Sequence, residues 1–199
     1  LVILGMMVQL MNKTGGSRAF GNWARTHIKT RRASMFATMV LGCLIFIDDY
    51  FNCLTVGSVM LPVSDEARVS RAKLAYLIDT TAAPVCIIAP ISSWAAAVSG
   101  FVEGENGMKL FVETIPYNFY ALLSICMMIF LIALKVDFGP MAIHEKNAME
   151  KGDLFTTEER PYGEREESEY AEGKIMDMLF PVISLVIFCV IGMIYSGGF

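Results

Sequence analysis

The apolar positions of this chain fall into long blocks, not into stripes of helical or strand period. The blocks cover residues 1–11, 33–63, 73–102, 113–135 and 175–195. Runs of that length predict helices that bury apolar surface all round, as spanning helices do. The first block ends at Asn12 and the paired Gly15 and Gly16, and predicts a partial helix over 1–11. It starts at Leu1 inside the apolar run, without an initiator Met or a signal-peptide pattern, so a piece of a longer protein is expected. Residues 15–32 mix Phe20, Trp23 and Ile28 with Arg25, Lys29, Arg31 and Arg32. That mixture suits an interfacial segment, with aromatics and cations at headgroup level, or an irregular basic loop.

Two blocks are interrupted. In 33–63 the adjacent Asp48 and Asp49, followed by Asn52, Gly57 and Pro62, argue against one continuous helix. Basic residues flank both ends: Arg31 and Arg32 before, Arg68, Arg71 and Lys73 after. If both flanks are cytoplasmic, the chain enters and leaves on one side. This predicts a re-entrant hairpin over 33–63 with a non-helical tip near residues 48–51, tolerable only where it is buried in protein or lines a cavity. In 73–102, Asp79, Thr80 and Thr81 precede Pro84, and Pro90, Ser92 and Ser93 follow. A proline removes a backbone donor and crowds the preceding turn. A broken helix over 73–102 is expected, with its break at residues 80–84 and freed carbonyls that a cation could satisfy. A hydroxyl-bonded, proline-kinked helix is the plainer alternative.

The remaining organisation follows from length and charge. Residues 113–135 predict a spanning helix, 138–174 an acidic, solvated and partly disordered cytoplasmic loop, and 175–199 a further helix containing Pro181. The fold class expected is an all-α membrane protein, a polytopic helical bundle with a re-entrant hairpin and a broken transmembrane helix. The hydrophobic fraction of 55% and the mean hydropathy of +0.52 agree with that class. The net charge of −4 adds little, because most acids lie in one loop. No basic stripe with interleaved aromatics points to nucleic acid. The five cysteines lie in apolar blocks with no CxxC pair, so neither a disulfide framework nor a zinc site is indicated. His27 and His144 lie far apart in polar segments and have no ligand spacing.

The candidate chemistry sits in the interruptions. A carboxylate at the centre of a spanning helix costs roughly 2.5–3.5 kcal/mol on insertion scales, so such residues face a bundle interior or a cavity and mark function by default. Asp48, Asp49 and Asp79 are the three acids so placed. An intramembrane aspartyl protease also uses buried aspartates, but its GxGD loop is absent, since Phe46 and Ile47 precede Asp48. A structural subunit with buried polar residues is the remaining alternative to a transporter. No enzyme activity is expected.

The ordered stretches GGSRAFGNW, FIDDYFNCLTVG, SRAKLAYLIDTTAAPV and PISSW together resemble the NhaC-type sodium/proton antiporter family, from about Gly15 to Ala96 and more weakly through Lys135. The resemblance implies one repeat of an inverted-repeat transporter over 1–137, with 175–199 as the first helix of the next repeat. It implies exchange of sodium for protons across the inner cell membrane by a multi-pass protein. Exchange of a small organic acid such as malate for lactate, with coupled ions, is the alternative. The transported ions are the only small partners expected and no cofactor is. The macromolecular partners are the lipid bilayer and the rest of the same transporter; a homodimer is left open, and no nucleic acid is expected. Sodium needs several oxygen ligands. Asp48, Asp49 and Asp79 offer carboxylates and are the expected sodium ligands, Asn52 offers an amide, and Thr55, Thr80, Thr81, Ser92 and Ser93 offer hydroxyls. Protons and sodium would compete for the carboxylate oxygens, which is the physical minimum for antiport.

Overall fold

The computed structural model describes residues 2–101, 106–157 and 173–197, and every regular element among them is helical. In order these are α1 (Val2–Lys13), α2 (Gly16–His27), α3 (Arg31–Leu44), α4 (Asp49–Glu66), α5 (Arg71–Cys86), α6 (Ser93–Ser99) and α7 (Gly107–Thr114). A 3₁₀ turn (Ile115–Tyr117), α8 (Phe119–Leu134), α9 (Pro140–Lys151) and α10 (Met176–Gly197) follow. Polar side chains start most of them. Thr30, Asp48, Ser70, Ser92, Asn106 and Asn118 each accept a backbone N–H from the first turn of the helix they precede.

The α3–α4 pair is a closed hairpin whose two ends are joined by different chemistry. At the turn end, residues 45–48 link the helices, and Asn52 on α4 reaches back to the carbonyls of Gly42 and Ile45. At the open end, Glu145 of α9 bridges the legs. It ion-pairs with Arg31, the first residue of α3, and accepts the backbone N–H of Ser70, just beyond the end of α4. Both legs pack on α5, which also contacts α8 and α9. One apolar core gathers on α4, with Phe51, Val56, Met60 and Val63 against Leu74 of α5 and Met178 of α10. A second joins Met35 and Met39 of α3 to Leu77 of α5 and to Met128 and Ile132 of α8.

α3 and α5 approach so closely that only glycine fits at position 42. A Cβ there would lie 2.1 Å from Thr81 Oγ1 and 2.5 Å from Thr81 Cβ. This contact presses the turn end of the hairpin against the middle of α5.

Several boundaries differ from those the pattern predicts. The interruption between the hairpin legs falls at residues 45–48, so Asp49, Tyr50 and Phe51 are already helical. Asp48 is the N-cap of α4, accepting from Phe51 N at 2.9 Å, and an acid at a helix start is favoured by both capping and the dipole. Pro62 and Pro84 both lie inside helices. α5 runs through Pro84 to Cys86, and its break falls at residues 87–92 instead of 80–84. Pro84 forfeits only its own N–H to the Thr80 carbonyl. The neighbouring turn is held by Thr81 Oγ1, which donates to the Leu77 carbonyl at 2.9 Å. The expected helix over 113–135 is two pieces, α7 with its 3₁₀ turn and then α8, bent by 48° beside Asn118. Among the described residues no single helix is long and apolar enough to cross a membrane, and that bent pair meets the requirement only together.

The stretch after α8 is not wholly a solvated loop. Residues 140–151 form α9, with Glu145 and Ala148 fully buried. Residues 158–172 of the acidic stretch lie outside the described residues.

Candidate functional site

The turn end of the hairpin meets the break after α5. Ser93 N donates to the Ile47 carbonyl at 2.7 Å, which joins the two interruptions directly. Beside this junction Asn52 is fully buried. Its Nδ2 lies 2.7 Å from the Gly42 carbonyl, 2.9 Å from Ile45 and 3.3 Å from Thr81. The amide nitrogen faces this side because Oδ1 there would meet three acceptors and no donor. One side chain thus gathers the C-terminal end of α3, the turn and the middle of α5.

The other half of the amide is not satisfied. Asn52 Oδ1 is buried with no hydrogen-bond partner, and so is Thr55 Oγ1, one turn along the same helix. Residues three apart share a helix face, so both oxygens lie on the buried side of α4. A buried polar atom without a partner costs about 1–3 kcal/mol, and in a native structure it calls for an explanation. The Asp48 backbone carbonyl accepts Asn52 N at 2.9 Å, and Asp49 occupies the first turn. Both acids are half-buried at the positive end of α4.

The other expected site residues separate into two groups. Thr81 is buried at the α3–α5 contact, with its hydroxyl bonded back to its own helix. Ser92 is buried and closes the break, donating to the Cys86 carbonyl at 2.7 Å and the Ala89 carbonyl at 3.0 Å. Thr80 is buried on α5. Asp79 and Ser93, by contrast, have exposed side chains. Asp48, Asp49 and Asp79 all lie within electrostatic reach of Cys53 on α4. They do not converge further: among the described residues no three His, Cys, Asp or Glu side chains are close enough to hold a metal ion by themselves. Asp48 is engaged as a cap and Asp79 faces outward, so the neutral oxygens of Asn52 and Thr55 form the buried part of the constellation.

The open end of the hairpin carries a set of charges that the hydrophobic pattern does not disclose. Lys73 of α5, only 1% exposed, pairs with Asp137 at 2.5 Å. Fully buried Glu145 pairs with Arg31. Burial lowers the Arg31 guanidinium from its ordinary value, and the Asp137 carboxylate opposes that shift. Arg71 pairs with Asp65 and lies over the Phe155 ring, 5.2 Å from its centroid. The signal for α9 is its punctuation: Pro140 at the first position and Gly152 just past the end, in the left-handed conformation.

A model of the Na+/H+ antiporter family matches residues 74–199, which takes in most of α5 and everything after it. The chain is also 37% identical over 207 residues to a protein of Haemophilus influenzae (strain ATCC 51907 / DSM 11121 / KW20 / Rd) described as uncharacterized. That alignment covers 100% of this chain and 38% of the relative, so the chain spans well under half of the length of the curated protein it matches. No solved structure matches. The family is one of membrane transporters, not an enzyme class. On the match over α5 to α10, the chain belongs to the Na+/H+ antiporter family.

Proposed function

We propose that this chain forms one part of the ion pathway of a sodium/proton antiporter of the NhaC type, a multi-pass protein of the cell membrane. The cation site lies where the turn of the α3–α4 hairpin meets the break after α5. The observation that carries this reading is Asn52. Its Nδ2 is committed to three carbonyls, while its Oδ1 and the Thr55 hydroxyl are buried without partners.

A sodium ion that sheds water takes several oxygens in exchange. Asn52 Oδ1 and Thr55 Oγ1 supply neutral ligands from within, and Asp48 or Asp49 supplies the charge from the half-buried rim. A proton on that carboxylate removes the charge the ion needs, so each ion displaces the other. Thr80, Thr81 and Ser92 line or shape the junction, and the exposed Asp79 and Ser93 stand on the approach to it. The remaining oxygens come from the rest of the same transporter, which also covers the apolar surface this chain leaves open. Nothing in the fold or the comparisons favours the organic-acid exchange.

The test is sodium-driven proton movement in vesicles holding the full-length protein. Asn52→Ala and Thr55→Val should each raise the sodium concentration needed for half-maximal exchange. Unchanged exchange in both variants would remove the basis of the proposal.

A further inference from the structure

At the opposite end of the hairpin a cavity of about 500 Å³ opens between the start of α3, the first turn of α5, the end of α8 and α9. Four cations line it, Arg31, Arg32, Lys73 and Lys135, against one acid, Asp137. The pairing within the wall leaves a surplus. Lys73 is answered by Asp137 and Arg31 by Glu145. Arg32 donates only to the Ala133 carbonyl, at 3.0 Å, and among the described residues neither Arg32 nor Lys135 meets a carboxylate. Two positive charges therefore face the same space without a counter-charge.

One further observation has the same sign. Arg31 Nε is a buried donor with no acceptor. Met35, Leu131 and Met149 supply an apolar wall beside the cations. The cavity lies next to Lys135, where α8 ends, and an anionic headgroup of a bilayer would sit at such a level.

We propose that this cavity binds a phosphate-bearing anion, held by Arg32 and Lys135 with Arg31 Nε as a third donor. An arginine fork suits phosphate geometry, and two uncompensated cations match a phosphate group. The same chemistry can come from an anionic phospholipid headgroup, its glycerol against the apolar wall, or from free phosphate. The proposal is independent of the sodium site, which lies at the other end of the hairpin.

Native mass spectrometry and thermal unfolding of the full-length protein test it, with dioleoyl phosphatidylglycerol, dioleoyl phosphatidylcholine and inorganic phosphate as probes. The comparison is between the natural chain and the double variant Arg32→Gln, Lys135→Gln, whose side chains stand outside the buried pairs. The natural chain should retain phosphatidylglycerol, or gain stability from phosphate, about thirtyfold more tightly than the variant, as expected for removal of two near-surface cations. Retained phosphatidylglycerol without a phosphate response assigns the site to lipid. A phosphate response without retained lipid assigns it to the free anion. Equal behaviour of the two proteins, or retention of phosphatidylcholine as tightly as phosphatidylglycerol without a phosphate response, overturns the proposal.

Discussion

The hairpin holds its two ends by opposite means. At the open end, charged side chains from α3, α5, α9 and the segment after α8 are paired: Arg31 with Glu145, and Lys73 with Asp137. At the turn end the side chains that cross between segments are neutral, and two buried oxygens on α4 have no partner. A buried ion pair contributes little net stability, but breaking one strands a charge and costs far more. The open end is therefore a clamp, closed by paired charges, with Arg31 Nε left as a donor without an acceptor. The turn end is under-satisfied, the arrangement expected where a ligand completes the coordination. The same two helices thus have one end held by paired charges and one end with open acceptors.

The clamp is the first place to perturb. Glu145→Ala removes the partner of Arg31 and the acceptor of Ser70 N, both in a buried setting. The loss should be about 3–5 kcal/mol, read by unfolding of the full-length protein in detergent. A loss below about 1 kcal/mol, as for an exposed pair, would mean that the open end is not a clamp.

The next test is the helix contact that seats the turn. Gly42→Ala places a methyl 2.1 Å from Thr81 Oγ1 and should force α3 from α5, at about 1–3 kcal/mol. Thr81→Gly in the same chain should recover part of that loss, because the two positions share one contact. Strict additivity of the two substitutions would place the strain elsewhere.

A smaller effect separates capping from charge at the tip. Asp48→Ala should cost about 0.5–2 kcal/mol through the lost bond to Phe51 N. Asp48→Asn should keep that stability, since Asn caps as well as Asp, while weakening sodium binding if the carboxylate supplies the charge. Equal sodium affinity in Asp48→Asn and the natural chain would leave Asp49 as the charged ligand.

The turn between α3 and α4 was legible because two adjacent acids interrupt an apolar run between basic flanks. Its exact break was not. Asp48 marks the interruption equally well as a tip residue or as an N-cap, and only the backbone around Phe51 decides between them. Pro84 misled in a similar way. A proline weakens a helix locally, but tight packing of α3 on Thr81 holds the helix through it, and the chain breaks at the next proline, Pro90, where Ser92 can cap α6. The buried oxygens of Asn52 and Thr55 were candidates by residue type, whereas their lack of partners is a three-dimensional fact. Asp79 shows the converse: an acid inside an apolar block whose side chain faces outward. Glu145 was hidden by its acidic neighbours, because composition averaged over that stretch suggests solvent and says nothing of one buried residue.

Thr55→Val is the sharpest probe of the proposal that the unpartnered oxygens of the turn end bind the cation. Valine keeps the shape of threonine and removes only a hydroxyl that bonds to nothing. Sodium should be titrated calorimetrically into the full-length protein and the variant, with unfolding of both measured in sodium-free buffer. Without sodium the variant should be equally or slightly more stable, and its sodium affinity about tenfold lower, corresponding to roughly 1.4 kcal/mol for one lost ligand. Sodium binding as tight in Thr55→Val as in the natural chain would contradict the proposal.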